Sequence, residues 1–279
     1  MVIFTYEEGY KIMNRTEALK HFEEEYVDDA IIELNDNIDE YINKHRKELT
    51  DAFVENFRMM CSKIKVMQEE GKKGKIAYIT YSFDIRNLHK ESRDYVVQAY
   101  GTEWFLEGGE ECKITYNVGW LYNFLDETYG KLLEISKKYM SNINGSDMDE
   151  VWKKGIIHCD ARLLNFAKKA IKEAVKLEEF KTIDKEEVLE IRLGKEKGYN
   201  EIIYIMDIRI KDSKEIKERL ESGENCSYFI LQNLDLSGGK FKGITCQNTD
   251  FSSSDLSDSN FEDASLIESI FVKSIIKTS

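Results

Sequence analysis

His158, Cys159 and Asp160 stand side by side in the chain, and an imidazole, a thiol and a carboxylate are the parts of a nucleophilic site. Their spacing argues against that use. Apolar residues around them recur at helical intervals, and neighbours on a helix point about 100° apart, so the three side chains do not face one another. Cys159 falls on the apolar stripe, which makes it a buried and inert thiol. His45 also holds a stripe position, where a packed histidine is expected, whereas His21 and His89 lie among charges and read as surface residues. The four histidines show no HxxxH spacing, and the five cysteines form no CxxC pair, so neither a metal site nor a secreted disulfide framework is expected. There is no GxGxxG and no P-loop, and no pair of carboxylates stands out. Trp104, Trp120 and Trp152 are expected as core aromatics in preference to a groove lining. No catalytic residue, cofactor site or metal ligand is put forward, and no cofactor is expected. An enzyme would need a site that these patterns do not reveal.

Composition narrows the classes further. The net charge is −13, and an acidic surface repels nucleic-acid phosphates. The one basic cluster, Lys72, Lys73 and Lys75, follows a helix, where lysine faces the negative end of the helix dipole. Direct nucleic-acid binding is therefore not expected. No apolar run is long enough to span a membrane, and the N-terminus lacks the basic start and apolar stretch of a signal peptide. A cytoplasmic, reduced protein is expected. Proline is absent, against about fourteen at average usage, so nothing breaks long helices.

The elements that would position any site follow from periodicity. From Ile31 through Leu34, Ile38, Tyr41, His45, Leu49, Phe53, Phe57, Met60 and Ile64 to Met67 runs one stripe, which predicts a single long helix ending at Gly71. A shorter acidic helix is expected from Thr16, its N-cap, toward Asp28. Ala77, Ile79, Tyr81, Phe83 and Ile85 alternate as in a strand, and Tyr95–Tyr100, Thr102–Leu106 and Cys112–Val118 read as further strands, with Gly108-Gly109 as a hairpin turn. A helix follows over Leu121–Met140. Another is expected to start at Asp147, with Glu150 completing a capping box, and to bury Trp152, Ile156, Cys159, Leu163, Phe166, Ala170, Ala174 and Leu177. Val188–Leu193 and Glu201–Ile208 form a hairpin around Lys197-Gly198. A short helix covers Ser213–Leu220. Residues 1–212 are expected as an α+β domain, with long helices on an antiparallel sheet of five or six strands. Residues 213–225 are expected as a capping helix or linker, and 226–279 as a separate unit.

That last unit has a period of five. Leu231, Leu236, Phe241, Cys246, Phe251, Leu256, Phe261, Leu266, Phe271 and Ile276 return without a skip. Two residues before most of them stands a small residue, such as Thr249, Ser254, Ser259 or Ala264, and between the two there is often Asp or Asn, as at Asp235, Asp250, Asp255 and Asn260. This pattern resembles the pentapeptide-repeat family. The resemblance implies a short right-handed quadrilateral β-helix of about 2.5 coils, roughly 12 Å long at strand spacing. Centre residues would point inward, and residues twenty apart would stack. Leu231, Phe251 and Phe271 would form one ladder, Leu236, Leu256 and Ile276 the next, with Phe241 under Phe261 and Cys246 under Leu266. Cys226, in register beneath Cys246, is expected to remain a free thiol like its neighbour, although a disulfide between them is sterically open. Phe229, Leu234 and Ile244 are large where the family has small residues, so the first coil is expected to be irregular and packed against the preceding domain.

The outward positions turn apolar at the end, at Ile267, Ile270, Val272 and Ile275. Either the protein's own α+β domain covers them or they form a surface for a partner or a second copy. The function expected is thus that of a non-enzymatic protein–protein interaction or scaffolding protein, with a homodimer through the C-terminal coil as one form. An enzyme with an unrecognised site in the α+β domain is the alternative. The resemblance also implies a further reading, since some pentapeptide-repeat proteins mimic duplex DNA and bind type II topoisomerases. Charge distribution disfavours it. Residues 226–279 hold seven Asp/Glu and four Lys, net −3, which leaves −10 of the −13 to the rest of the chain, and the array is shorter than one turn of DNA, about 34 Å.

Overall fold

The computed structural model describes residues 3–6, 9–83, 93–108, 111–195 and 200–277. A small hairpin, β1 (Ile3–Tyr6) and β2 (Gly9–Ile12), precedes α1 (Arg15–Phe22). Asn14, not Thr16, caps α1. Its side chain accepts the Glu17 N–H, and Glu17 reaches back to the Asn14 N–H, a complete capping box. A π-helical turn over Glu23–Val27 leads into α2 (Asp28–Lys44) and α3 (Arg46–Glu69).

The predicted single helix is therefore two. It breaks at His45, whose backbone sits at φ −105°, ψ 17°, while the N–H of His45 still bonds Tyr41 and that of Leu49 still bonds His45. No glycine or proline marks the break. The His45 ring instead stacks on Tyr41 at 4.4 Å. The stripe is buried on both sides of it, from Ile31, Leu34 and Ile38 to Phe53, Phe57, Met60 and Ile64. Gly71 ends the run at φ +70°, a left-handed position that suits glycine.

Five strands form the main sheet in the order β5-β4-β3-β6-β7, where β3 is Ile76–Phe83, β4 Asp94–Tyr100, β5 Cys112–Asn117, β6 Lys185–Lys195 and β7 Asn200–Asp207. The sheet is mixed and not antiparallel as predicted. β3 and β6 pair in parallel, with Ile79 opposite Ile191, and the other three pairs are antiparallel. A parallel pair needs a long crossover. The chain between β3 and β6 supplies it through β4, β5, α4 (Gly119–Ser136), α5 (Gly145–Ala174) and α6 (Glu178–Thr182). The strand expected at Thr102–Leu106 is instead a turn and a 3-10 helix over Trp104–Leu106. Trp104 lies against Tyr78, with ring centroids 4.0 Å apart, and under the Arg192 guanidinium. Ile85, Gly109 and Lys197-Gly198 fall outside the described residues.

Asn144 rather than Asp147 caps α5. Asp147 is the third residue of the box, returning a bond to the Asn144 N–H at 2.8 Å. The helix ends at Ala174, and every stripe residue from Trp152 to Ala174 is buried. Phe53 of α3, Tyr81 of β3, Tyr116 of β5 and Phe166 of α5 close around one another with centroids 5.2–6.2 Å apart, in the range of favourable offset and edge-on ring pairs. This cluster centres the larger core, which runs from Ala18 to Ile203.

A second, separate core begins with α7 (Ser213–Glu221). Ile216 and Leu220 of α7 pack with Cys226, Leu231 and Leu234. The Ser213 hydroxyl accepts the Asp235 N–H and the Glu221 carboxylate accepts the Lys240 N–H, both at 3.0 Å. Lys168 of α5 ties the two parts together, donating to Glu201 of β7 at 3.0 Å and to the Tyr228 hydroxyl at 2.9 Å.

Candidate interaction site

From residue 230 the chain is a β-helix. Parallel bridges join Ile230 to Asp250, Asp235 to Asp255, Lys240 to Asn260 and Thr245 to Ser265, then Asp250 to Ile270 and Asp255 to Ile275. Every bridge spans twenty residues. The Phe241 and Phe261 rings lie 5.0 Å apart, and Phe251 stacks on Phe271 at 5.3 Å, so these two predicted aromatic stacks form.

Each position of the five has its own physical task. The centres Leu231, Leu236, Phe241, Cys246, Phe251 and Leu256 are at most 3% exposed. Two residues after each centre the backbone turns left-handed. Every fifth residue from Tyr228 to Lys273 has φ between 54° and 71°, as the third residue of a type II turn requires. The turn closes with the next N–H on the centre carbonyl, as from Ser254 to Phe251 at 3.0 Å. Before the centre, Asp or Asn accepts the N–H two residues on, as Asp250 does from Ser252 at 2.8 Å and Asn260 from Glu262 at 2.8 Å. Sequence reasoning missed the corners, although Asn233, Gly238, Gly243, Asn248, Asp258 and Asp263 hold them and are the residue types that tolerate this conformation.

The small residue does more than avoid a clash. The buried Ser254 hydroxyl donates to the Leu231 carbonyl at 2.6 Å and accepts the Leu234 N–H at 3.0 Å, joining two coils. Thr249 donates to Cys226 at 2.6 Å, and Ser274 donates to Phe251 at 2.8 Å. Gly239 differs for a local reason. A Cβ there would overlap the Phe241 ring.

Cys226 and Cys246, expected as free thiols, are joined as a disulfide, with Cα atoms 4.6 Å apart. The register explains the correction, since stacking one coil on the next brings the two Cα atoms into the range a disulfide spans. Alkylation of the denatured protein without reductant should therefore label only Cys61, Cys112 and Cys159. Adding reductant during unfolding should lower stability by about 3 kcal/mol, as for a closed loop of this length. Five labelled cysteines would overturn the assignment.

The upper end of the array is different. Phe261, Leu266 and Phe271 are only partly buried. Ile267 is 63% exposed, Ile270 39%, Val272 59% and Ile275 45%, so the α+β part does not cover them. Ile276, predicted to lie in the core above Leu256, is 66% exposed. No coil lies above it among the described residues. Five aliphatic side chains between Ile267 and Ile276 are thus exposed on the last described coil.

The other candidates separate in space. His158 faces Asn35 of α2, 3.2 Å from its side-chain nitrogen. Cys159 is fully buried, and burial pushes its thiol up to about 12. Asp160 turns to the sheet, where one oxygen, Oδ1, accepts the Tyr95 and Tyr122 hydroxyls, each at 3.1 Å. Burial pushes its carboxyl up, while the two hydroxyls and then Lys195 pull it down. Among the described residues no three metal-ligating side chains gather, and no helix is long and apolar enough to cross a membrane.

Residues 230–266 match a family model described as pentapeptide repeats, in eight copies. The C-terminal segment is a pentapeptide-repeat array. No curated protein and no solved structure matches the chain.

Proposed function

We propose that this is a non-enzymatic interaction protein whose pentapeptide-repeat array, a right-handed β-helix of about two and a half coils, presents its last coil to another protein. The observation that carries the reading is the exposure of Ile267, Ile270, Val272, Ile275 and Ile276 together at one end of the stack. Isolated surface aliphatics are ordinary, but five within ten residues of one coil are what an interface would use. The occupant we favour is a second copy, because a coil that presents exposed apolar side chains can pair with its own equivalent across a two-fold axis. Such pairing would cover the apolar side chains and occupy the strand-edge backbone groups of the last coil. A cytoplasmic setting fits the three free cysteines, and the Cys226–Cys246 pair, at 0% exposure, is shielded from attacking thiolates.

Light scattering coupled to size exclusion tests this. The wild type should run as a dimer at micromolar concentration. Ile270→Asp and Ile275→Asp, each placing a charge on the exposed face, should give monomers with unchanged circular dichroism. A wild-type monomer at high micromolar concentration would end the self-association reading. If neither substitution changed the mass of a wild-type dimer, the contact would have to lie elsewhere.

A further inference from the structure

Between α5 and the ends of β6 and β7 lies a cavity of about 260 Å³. Its size is that of a small fragment, below the usual range for drug-sized ligands of about 300–1,000 Å³. Ile157, Leu164 and Leu193 supply apolar walls, and Asp160 supplies the polar group between them. Both tyrosine hydroxyls that reach Asp160 go to the same oxygen, Oδ1. Among the described residues nothing donates to Oδ2. Asp160 is half-buried, so this second oxygen is open to whatever enters the cavity, where a cation would pair with it. The charges nearby leave it open. Glu201, at the rim, is taken by Lys168. Lys195, also at the rim, is exposed, and among the described residues makes no ion pair with Asp160.

We propose that this cavity binds a small primary amine with an apolar body. The ammonium group sits against Asp160 Oδ2, and the hydrocarbon covers Leu164, Leu193 and Ile157. The tyrosines Tyr95 and Tyr122 hold the carboxylate in place from behind. Lys195 at the mouth sets a second preference. A diamine would bring its other ammonium toward this lysine, so monoamines bind better. The site is independent of the terminal coil, and either reading can fail without the other.

Full-length protein titrated calorimetrically with n-hexylamine, n-hexanol, hexanoate and 1,6-diaminohexane tests the inference. These probes share one body and differ in their ends. Hexylamine should bind saturably and at least about tenfold more tightly than hexanol, as a charge-assisted hydrogen bond implies. Hexanoate should not bind, and the diamine should bind more weakly than the monoamine. Asp160→Asn should weaken hexylamine at least about tenfold, and Leu164→Trp should block it by filling the cavity. Should Asp160→Asn fail to fold, the probe series and Leu164→Trp still decide. Hexylamine binding no tighter than hexanol, or binding that survives Leu164→Trp, overturns the proposal.

Discussion

Phe251→Ala should lower the stability of the repeat array by about 3–5 kcal/mol, the usual cost of emptying a buried aromatic position. Phe251 is 0% exposed. Its ring stacks on Phe271 at 5.3 Å and meets the edge of Phe261 at 6.0 Å. Collapse around the gap is restricted, because the neighbouring backbone is held above and below by bonds such as Phe251 N–H to the Ile270 carbonyl and Asp250 N–H to Phe229, at 2.8 and 2.9 Å. The array has a small core of its own, separate from the core of the α+β part. Loss should therefore fall on residues 226–277 first. Hydrogen exchange by mass spectrometry reads this directly. Protection should drop through the array while α3 and β3 keep theirs. Ile267→Ala, at an exposed position, should change array stability by no more than about 0.5 kcal/mol. A Phe251→Ala protein whose array is as protected as the wild type would mean that the aromatic ladder does not hold the coils.

The ladder was legible in the sequence because one residue in five carries it and each copy repeats the same signal. Phe241, Phe251 and Phe261 announce their neighbours without any knowledge of the rest of the chain. Strand alternation at Ala77, Ile79, Tyr81 and Phe83 was equally plain, but alternation says nothing of a strand's partner or direction. The parallel pairing of β3 with β6 depends on what the intervening hundred or so residues do, and so the sheet was misjudged. Cap positions slipped for a related reason. Asn144 and Asp147 are both good N-cap residues, and only the geometry assigns Asn144 the cap and Asp147 the return bond. The turn at Trp104 was hidden because Trp and Phe are common in strands. His45 gave no sign of breaking a helix, since the apolar stripe passes through it unbroken. Asp160 was the least legible. Its partners Tyr95 and Tyr122 stand 65 and 38 residues away, and in sequence it was only the third member of a motif that the fold takes apart. The apolar character of Ile267, Ile270, Val272 and Ile275, which breaks the outward pattern of the earlier repeats, was also plain, but the sequence left open whether the α+β part covers them, and only their exposure shows that it does not.

Ser254→Ala should be the costliest change that removes a single atom from the array. The substitution leaves volume nearly unchanged, so packing alone would make it neutral. Hydrogen bonding says otherwise. The hydroxyl is the partner of two main-chain groups on the coil below, the Leu231 carbonyl at 2.6 Å and the Leu234 N–H at 3.0 Å. Ser254 is 0% exposed and Leu234 5%, so water does not readily replace it. An orphaned buried group costs about 1–3 kcal/mol, and two of them together put the loss at about 2–5 kcal/mol. Ser274, whose hydroxyl bonds the Phe251 carbonyl at 2.8 Å, provides the comparison. It lies on the partly exposed last coil, where water can take over the bond, and Ser274→Ala should cost less than about 1 kcal/mol. Denaturant unfolding of the two variants, followed through exchange in the array, separates the explanations. If small size is all the repeat needs at this position, both serines will tolerate alanine equally. If the hydroxyl knits coil to coil, Ser254→Ala will fall well below Ser274→Ala, and the preference for Ser and Thr at Ser254, Ser259, Ser269 and Thr249 follows from backbone groups that only a short hydroxyl side chain can reach.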